Sequence, residues 1–255
     1  MAAPTTTEQP PAPAPAPLPR AVRRRRAVLL ALIAATVLTA ASTWLLYGSS
    51  WLRVTRVKIT GTQVLTPAQV REAAAVPLGG PLASADTGAI ESRLVKRLSR
   101  IESVDISRSW PHTIELKVTE RTPAAIVEND GKFIEVDADG LRFATVDTAP
   151  RGVPLVELMP VQGASYRHFG TKQLLKSAVE VAGDLPDAVR RQARVIRVRS
   201  YDGIAIRLTQ GRTVVWGSAE NGEEKAVALT ALMKAAKGAD NFDVSAPTSP
   251  AASSS

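Results

Sequence analysis

The stretch Ala27–Tyr47, AVLLALIAATVLTAASTWLLY, contains no charged residue and follows directly on Arg23, Arg24, Arg25 and Arg26. At ~1.5 Å of rise per residue a helix of that length spans ~31 Å, about the hydrocarbon thickness of a bilayer. A chain with such a segment folds in two solvents, and the lipid bilayer becomes its first partner. Basic residues are retained on the cytoplasmic side, so the arginine run assigns the N-terminus to the cytoplasm and the rest to the far side. No comparable cluster follows Tyr47 at once, although Arg53, Arg56 and Lys58 lie a little further on. Trp44, Tyr47 and Trp51 gather at the far end, where amphipathic rings settle at a membrane interface. The competing reading is a cleaved signal peptide with Ala40–Ser42 as its small-residue site. The apolar run outlasts a usual signal core and continues through Trp44–Leu46, which favours an uncleaved anchor. A twin-arginine export signal would need flanks that are absent here.

The net charge of +8 is split between the two sides of this segment. Residues 1–26 carry five Arg and one Glu, and the remainder is nearly balanced, with 27 basic and 23 acidic groups. So balanced a soluble part argues against nucleic-acid binding by charge. The chain has no cysteine, which excludes a disulfide framework and Cys-ligated metal, and only two histidines, which limits catalysis and metal binding. The run Pro10–Pro19 favours extended polyproline II. Residues 1–26 are therefore expected to be a disordered cytoplasmic tail, serving as a spacer or as a ligand for a cytoplasmic partner.

Beyond the span (27–47) the pattern turns to period two. A strand is predicted over Leu52–Gly61, and Leu65-Thr66-Pro67 opens a helix with Thr66 at its N-cap and Pro67 at the first helical position. Gly79-Gly80-Pro81 breaks the chain, and Asp86 caps a second helix with Ile90, Leu94 and Leu98 on one face. Strands Ser103–Ser109 and Thr113–Glu120 complete a βααββ unit over residues 52–120. So short a link from the bilayer keeps this unit near the membrane surface.

A second domain is predicted over 121–246. Asn129-Asp130-Gly131 joins the strands Ala124–Glu128 and Lys132–Val136 as a hairpin, and Asp137–Gly140 turns into Leu141–Val146. Asp137, Asp139 and Gly140 lack the rest of a Ca²⁺ loop, so a tight turn is expected there. Strand Pro154–Leu158, helix Thr171–Ala182, and strands Ala193–Arg199, Ile204–Leu208 and Thr213–Trp216 follow. Ser218 is expected to cap a helix running through Lys237. A last strand, Phe242–Ser245, precedes a tail over 247–255 expected to be disordered. The fold class is thus α+β: one N-terminal transmembrane helix, a βααββ domain, and a mixed, mainly antiparallel β domain.

Strand, Gly, βααββ, then Ser109-Trp110-Pro111-His112-Thr113 and Glu120-Arg121-Thr122-Pro123-Ala124 resembles the POTRA domain of the FtsQ (DivIB) family of bacterial cell-division proteins. Val76–Ala83 with Asp86-Thr87 is similar to actinobacterial members. Lys225, Leu229, Leu232 and Asp243-Val244-Ser245 match the family's β domain, and the resemblance covers roughly residues 27–246. It implies a bitopic, non-enzymatic divisome scaffold that links early and late division proteins and is enriched at the septum. It also implies FtsB/DivIC-like and FtsL-like partners and, through them, influence on the septal peptidoglycan synthase complex. The POTRA domain would serve membrane-proximal partners or septal recruitment. The family's strand addition at the last sheet edge carries over to Phe242, Asp243, Val244 and Ser245, unless Phe242 and Val244 merely complete the core. Arg199 falls where the family sets a basic residue against an acidic partner. The alternative is a membrane-anchored POTRA module acting as a chaperone-like adaptor in polypeptide transport.

No catalytic frame appears. Gly217-Ser218 lacks a nucleophile elbow, and there is no phosphate loop, dinucleotide fingerprint or zincin helix. His112 and His168 stand apart from each other and from evident carboxylates, as exposed turn residues would. Glu223-Glu224 begins a helix, where carboxylates favour the positive dipole end. Neither an enzyme, nor a cofactor, nor a small-molecule substrate is expected.

Overall fold

The computed structural model describes residues 20–159 and 164–254, with side chains from Arg24 onward and none described for 160–169. The Pro-rich run and the side chains of Arg23 and His168 lie outside the described residues. Helix α1, Arg20–Gly48, contains the segment Arg24–Gly48, with a mean hydropathy of 2.1 in its most apolar window and none of that window buried in protein. The hydroxyls of Thr36, Thr39 and Thr43 donate to the carbonyls of Leu32, Ala35 and Thr39 at 2.8–2.9 Å, so the helix satisfies its own polar groups.

The chain divides into two compact units. In one, α1 is joined by residues 49–56, 77–85 and 108–114. The strand expected from Leu52 does not begin there: Ser50–Leu52 makes a single 3₁₀ turn, capped by the Ser49 hydroxyl accepting from the Trp51 amide. Residues 53–55 pair locally instead. Val54 N–H donates to Gly80 at 2.9 Å, Gly79 N–H donates back to Val54 at 2.8 Å, and Thr55 N–H donates to His112 at 2.9 Å. Leu52, Val54, Leu82 and Ala85 are buried.

Along the chain, β1 (Arg56–Thr60), α2 (Pro67–Ala74), α3 (Thr87–Arg97), β2 (Ile101–Ser109) and β3 (Thr113–Glu120) give the βααββ order, with the sheet ordered β1-β3-β2. Thr66 and Gln69 form a reciprocal capping box on α2, and Asp86 accepts from Ala89 N–H at 2.9 Å to cap α3. Gly61 is obligatory: its φ is +86°, and a Cβ there would lie 2.1 Å from the Val118 carbonyl oxygen. Glu120, at the end of β3, places its carboxylate in a nest of backbone N–H groups formed by the loop before α2. Its carboxylate accepts from the N–H groups of Gln63 (2.7 Å), Val64 (3.1 Å) and Leu65 (3.0 Å).

The second domain is one nine-stranded sheet of β4 (Ala125–Asn129), β5 (Lys132–Val136), β6 (Arg142–Val146), β7 (Leu155–Leu158), β8 (Ala193–Val198), β9 (Ile204–Leu208), β10 (Thr213–Gly217), β11 (Asn241–Asp243) and β12 (Ala251–Ser253). Its order is β12-β11-β10-β9-β8-β7-β4-β5-β6. Helices α4 (Ala164–Asp184, interrupted at Gly170), α5 (Asp187–Arg190) and α6 (Gly222–Ala235) lie in the two crossovers of the sheet. Leu174, Leu175, Ala178 and Val179 from α4 and Leu229 from α6 share a core with Ile196, Ile206, Val214, Trp216 and Phe242. Asp137 closes its turn by accepting from Asp139 N–H (3.0 Å) and Leu141 N–H (2.8 Å).

Two expectations are corrected. Ser218 does not cap α6. The helix starts at Gly222 after Asn221 in a left-handed conformation, and the Ser218 carbonyl instead accepts from the buried Lys225 Nζ at 2.9 Å. Residues 247–255 are not a featureless tail either, because β12 adds to the sheet there.

Candidate partner-binding surface

Strand alternation sorts β8–β10 into two faces. Ile196, Val198, Ile204, Ile206, Val214 and Trp216 point into the core and are buried. Their neighbours Arg197, Ala205, Arg207, Thr213 and Val215 line the opposite face. Register aligns them in two rows. Arg197 lies across from Ala205, Ala205 from Val215, Val215 from Asp243 and Asp243 from Ala251. In the second row Arg207 faces Thr213, Thr213 faces Asn241 and Asn241 faces Ser253.

A groove of about 380 Å³ follows these rows, lined by Arg197, Arg199, Ala205, Arg207, Thr213 and Val215 among others. Arg197 is already paired with Glu157, whose Oε2 accepts from Nη2 at 2.9 Å and from Nε at 3.1 Å. Arg199 and Arg207 are exposed and have no ion-pair partner among the described residues. The turn that presents Arg199 is held by its own N–H on the Gly203 carbonyl at 3.1 Å and by Ser200 Oγ donating to Asp202 at 2.7 Å. That hydroxyl bond holds the Asp202 carboxyl below its ordinary range, while the Glu220 carboxylate beside Tyr201 raises the phenol. The groove thus offers two free guanidinium groups over an apolar floor.

Of the two readings of the last strand, the burial of Phe242 and Val244 matches the one in which they complete the core. Asp243 and Ser245 are exposed, but Asp243 Oδ1 accepts from Ser245 N–H at 2.9 Å and from its hydroxyl at 2.7 Å. Both sides of β11 are occupied, by β10 in parallel and by β12 antiparallel. The open edge lies one strand further out, along Ala251–Ser253, where all three residues are exposed. Gly217 permits this route: with φ +81° it lets Ser245 pass where a Cβ would meet the Ser245 Cβ at 2.9 Å. Arg199 lies in the groove, and Arg24–Arg26 lie exposed at the head of α1. Arg207 is a residue that no sequence motif marks; its place in the alternation opposite Ile204 and Ile206 is the signal that puts it on this face. Among the described residues, no group of three His, Cys, Asp or Glu is placed to hold a metal.

A family model described as "POTRA domain, FtsQ-type" matches residues 52–121. Over the full length of both chains, the protein is 55% identical to a protein named "Cell division protein FtsQ" from Streptomyces collinus. It is 60% identical to the protein of that name from Streptomyces griseus, over 82% of this chain and 100% of the relative. With the Mycobacteroides abscessus protein of that name the identity is 32%, over 88% of this chain and 67% of the relative. Among solved structures, the major extracytoplasmic domain of the cell-division protein DivIB from Geobacillus stearothermophilus aligns with a TM-score of 0.33 and 17% identity. That alignment covers 47% of this chain and 96% of that one.

Proposed function

This chain belongs to the FtsQ family of bacterial cell-division proteins, and from that premise we propose that it is a non-enzymatic scaffold of the divisome whose β domain holds other division proteins. It is a single-pass membrane protein with one span near its N-terminus. In this reading Arg23–Arg26 keep the N-terminus cytoplasmic, the folded domains stand outside, and the protein is enriched at the septum. FtsB/DivIC-like and FtsL-like proteins are the partners, and control of the septal peptidoglycan synthase complex passes through them.

One observation carries this reading: the sheet that ends in the free edge of β12 also carries, two strands further in, a groove with two unpaired arginines. A free edge offers unpaired N–H and C=O groups to an incoming strand, and the arginines select an acidic flank on it. Strand addition at Ala251–Ser253 would leave Phe242 and Val244 in the core and use Arg199 as the family resemblance suggests. Arg207, across from Thr213, joins it.

The test is a photo-crosslinking amino acid at Ala252 or Arg207 in dividing cells, with the captured proteins identified by mass. Small division proteins with an acidic segment beside an extended one are the expected catch. A secretion-channel component at both positions would overturn the scaffold reading in favour of a transport adaptor.

A further inference from the structure

The unit built on α1 carries a second surface. Trp51, Leu78 and Trp110 are 68%, 63% and 51% exposed, although each is a large apolar or aromatic side chain. They come from three separate stretches of sequence brought together by backbone bonds. Val54 ties to Gly79 and Gly80 on one side, and Thr55 and Arg56 tie to the His112 carbonyl on the other. Each exposed side chain is within three residues of one of these bonds. Trp51 lies three residues beyond Gly48, the last residue of α1, and α1 itself packs against Leu82–Ser84.

Charge separates these stretches from the rest of the chain. Residues 49–56, 77–85 and 108–114 contain Arg53, Arg56, Arg108 and His112 but no Asp or Glu, in a chain with 24 acidic residues. The three arginines are exposed. Singly exposed hydrophobic residues are ordinary on protein surfaces. Three of them clustered at the end of a membrane span, without an acidic residue and with three cations, have the composition of a surface that sits in a headgroup layer.

We infer that this cluster is seated on the bilayer, with Trp51, Leu78 and Trp110 in the interface and Arg53, Arg56 and Arg108 toward anionic headgroups. The inference rests on α1 being a membrane span. Aromatic rings prefer the headgroup level, and each arginine near an anionic surface adds electrostatic attraction. The protein would then be held by its helix and by a second contact that restricts rotation about the span, giving the folded part a fixed face.

The absence of cysteine makes the test direct, since a single introduced cysteine carries a nitroxide without competition. The full chain is reconstituted in phosphatidylglycerol-containing vesicles with labels at Leu78→Cys, Trp110→Cys, Val37→Cys in α1, and Val227→Cys. Val227 is 68% exposed on α6 and is the aqueous reference. The labels at Leu78 and Trp110 are expected to be several-fold less accessible to an aqueous nickel relaxant than the one at Val227, and more accessible to oxygen. Aqueous readings at both positions, with Val37 in lipid, overturn the seating and leave the span intact. An aqueous reading at Val37 overturns both. In vesicles of phosphatidylcholine alone the Leu78 label is expected to rise toward water, and an unchanged depth overturns the role given to the arginines.

Discussion

Lys225 shows how one residue is placed by an unmet need elsewhere. It is 2% exposed, and its Nζ donates to the Ser218 carbonyl at 2.9 Å, closing the loop before α6. Burial lowers its pKa from the ordinary 10.5, while the nearby Glu220 and Asp184 carboxylates pull the other way. With the folded value below the unfolded one, the unfolded chain binds more protons between the two, so stability rises with pH across that window. Replacing Lys225 with Met keeps the stem's packing and removes the charge and the bond. The Lys225→Met variant is expected to be less stable at neutral pH by about 1–2 kcal/mol, because it leaves a carbonyl without its donor. It should also lose the rise in stability that this lysine contributes as pH climbs toward its ordinary value of 10.5. Denaturant melts of both proteins across that range check this, and parallel pH curves would show that the lysine titrates no differently on folding. The same residue explains why Ser218 resembled an N-cap from sequence: a serine before a helix was legible, but a buried cation claiming its carbonyl was not.

At the scale of elements, legibility follows burial. Strands β8 and β9 were readable because one face must enter the core, which fixes Ile196, Val198, Ile204 and Ile206 at period two. The hairpin at Asp130-Gly131 was readable because both residues take positive φ, at 51° and 76°. Strand β12 was not, because Ala251, Ala252 and Ser253 bury no side chain and are held to β11 by backbone pairing. The candidate surface inherits that gap: Arg199 was legible through the family resemblance, whereas the edge had moved from β11 to a segment without apolar pattern. Arg199 and Arg207 contribute little to folding, being exposed and unpaired, so reversing their charge isolates their role in binding. The double variant Arg199→Glu/Arg207→Glu is expected to keep the wild-type melting curve while weakening binding of an acidic partner segment by about tenfold or more. Most of that loss should appear in the association rate and shrink at high salt. Equal affinity of both proteins at low salt would remove these arginines from the interface.

At the scale of the molecule, the POTRA and β domains are joined by more than the chain between them. Arg100, from the turn between α3 and β2, is 11% exposed at its side chain. It donates to Glu135 on β5, which is 7% exposed, and its guanidinium lies 5.3 Å from the centroid of the Phe143 ring on β6. Arg121, the residue after Glu120, donates its N–H to the Arg100 carbonyl at 2.8 Å and from its Nη1 to Asp137 at 2.6 Å. The Glu-Arg pair that marks the end of the POTRA motif thus faces both ways: Glu120 closes the POTRA loop and Arg121 clasps the first turns of the β domain. Domains in one chain move relative to each other unless the interface between them is substantial, and here a buried ionic joint supplies the restraint. Removing one partner of a buried pair leaves the other charged and unsatisfied, at about 3–5 kcal/mol, whereas replacing both with apolar groups of similar volume recovers much of that loss. The Arg100→Ala variant of the full chain in detergent is therefore expected to split a single calorimetric transition into two, as the domains melt apart. The double variant Arg100→Met/Glu135→Leu should restore one transition. Two transitions already present in the wild type would show that the joint does not couple the domains, and an unsplit, unshifted transition in Arg100→Ala would show that their coupling lies in Arg121 and Asp137 instead.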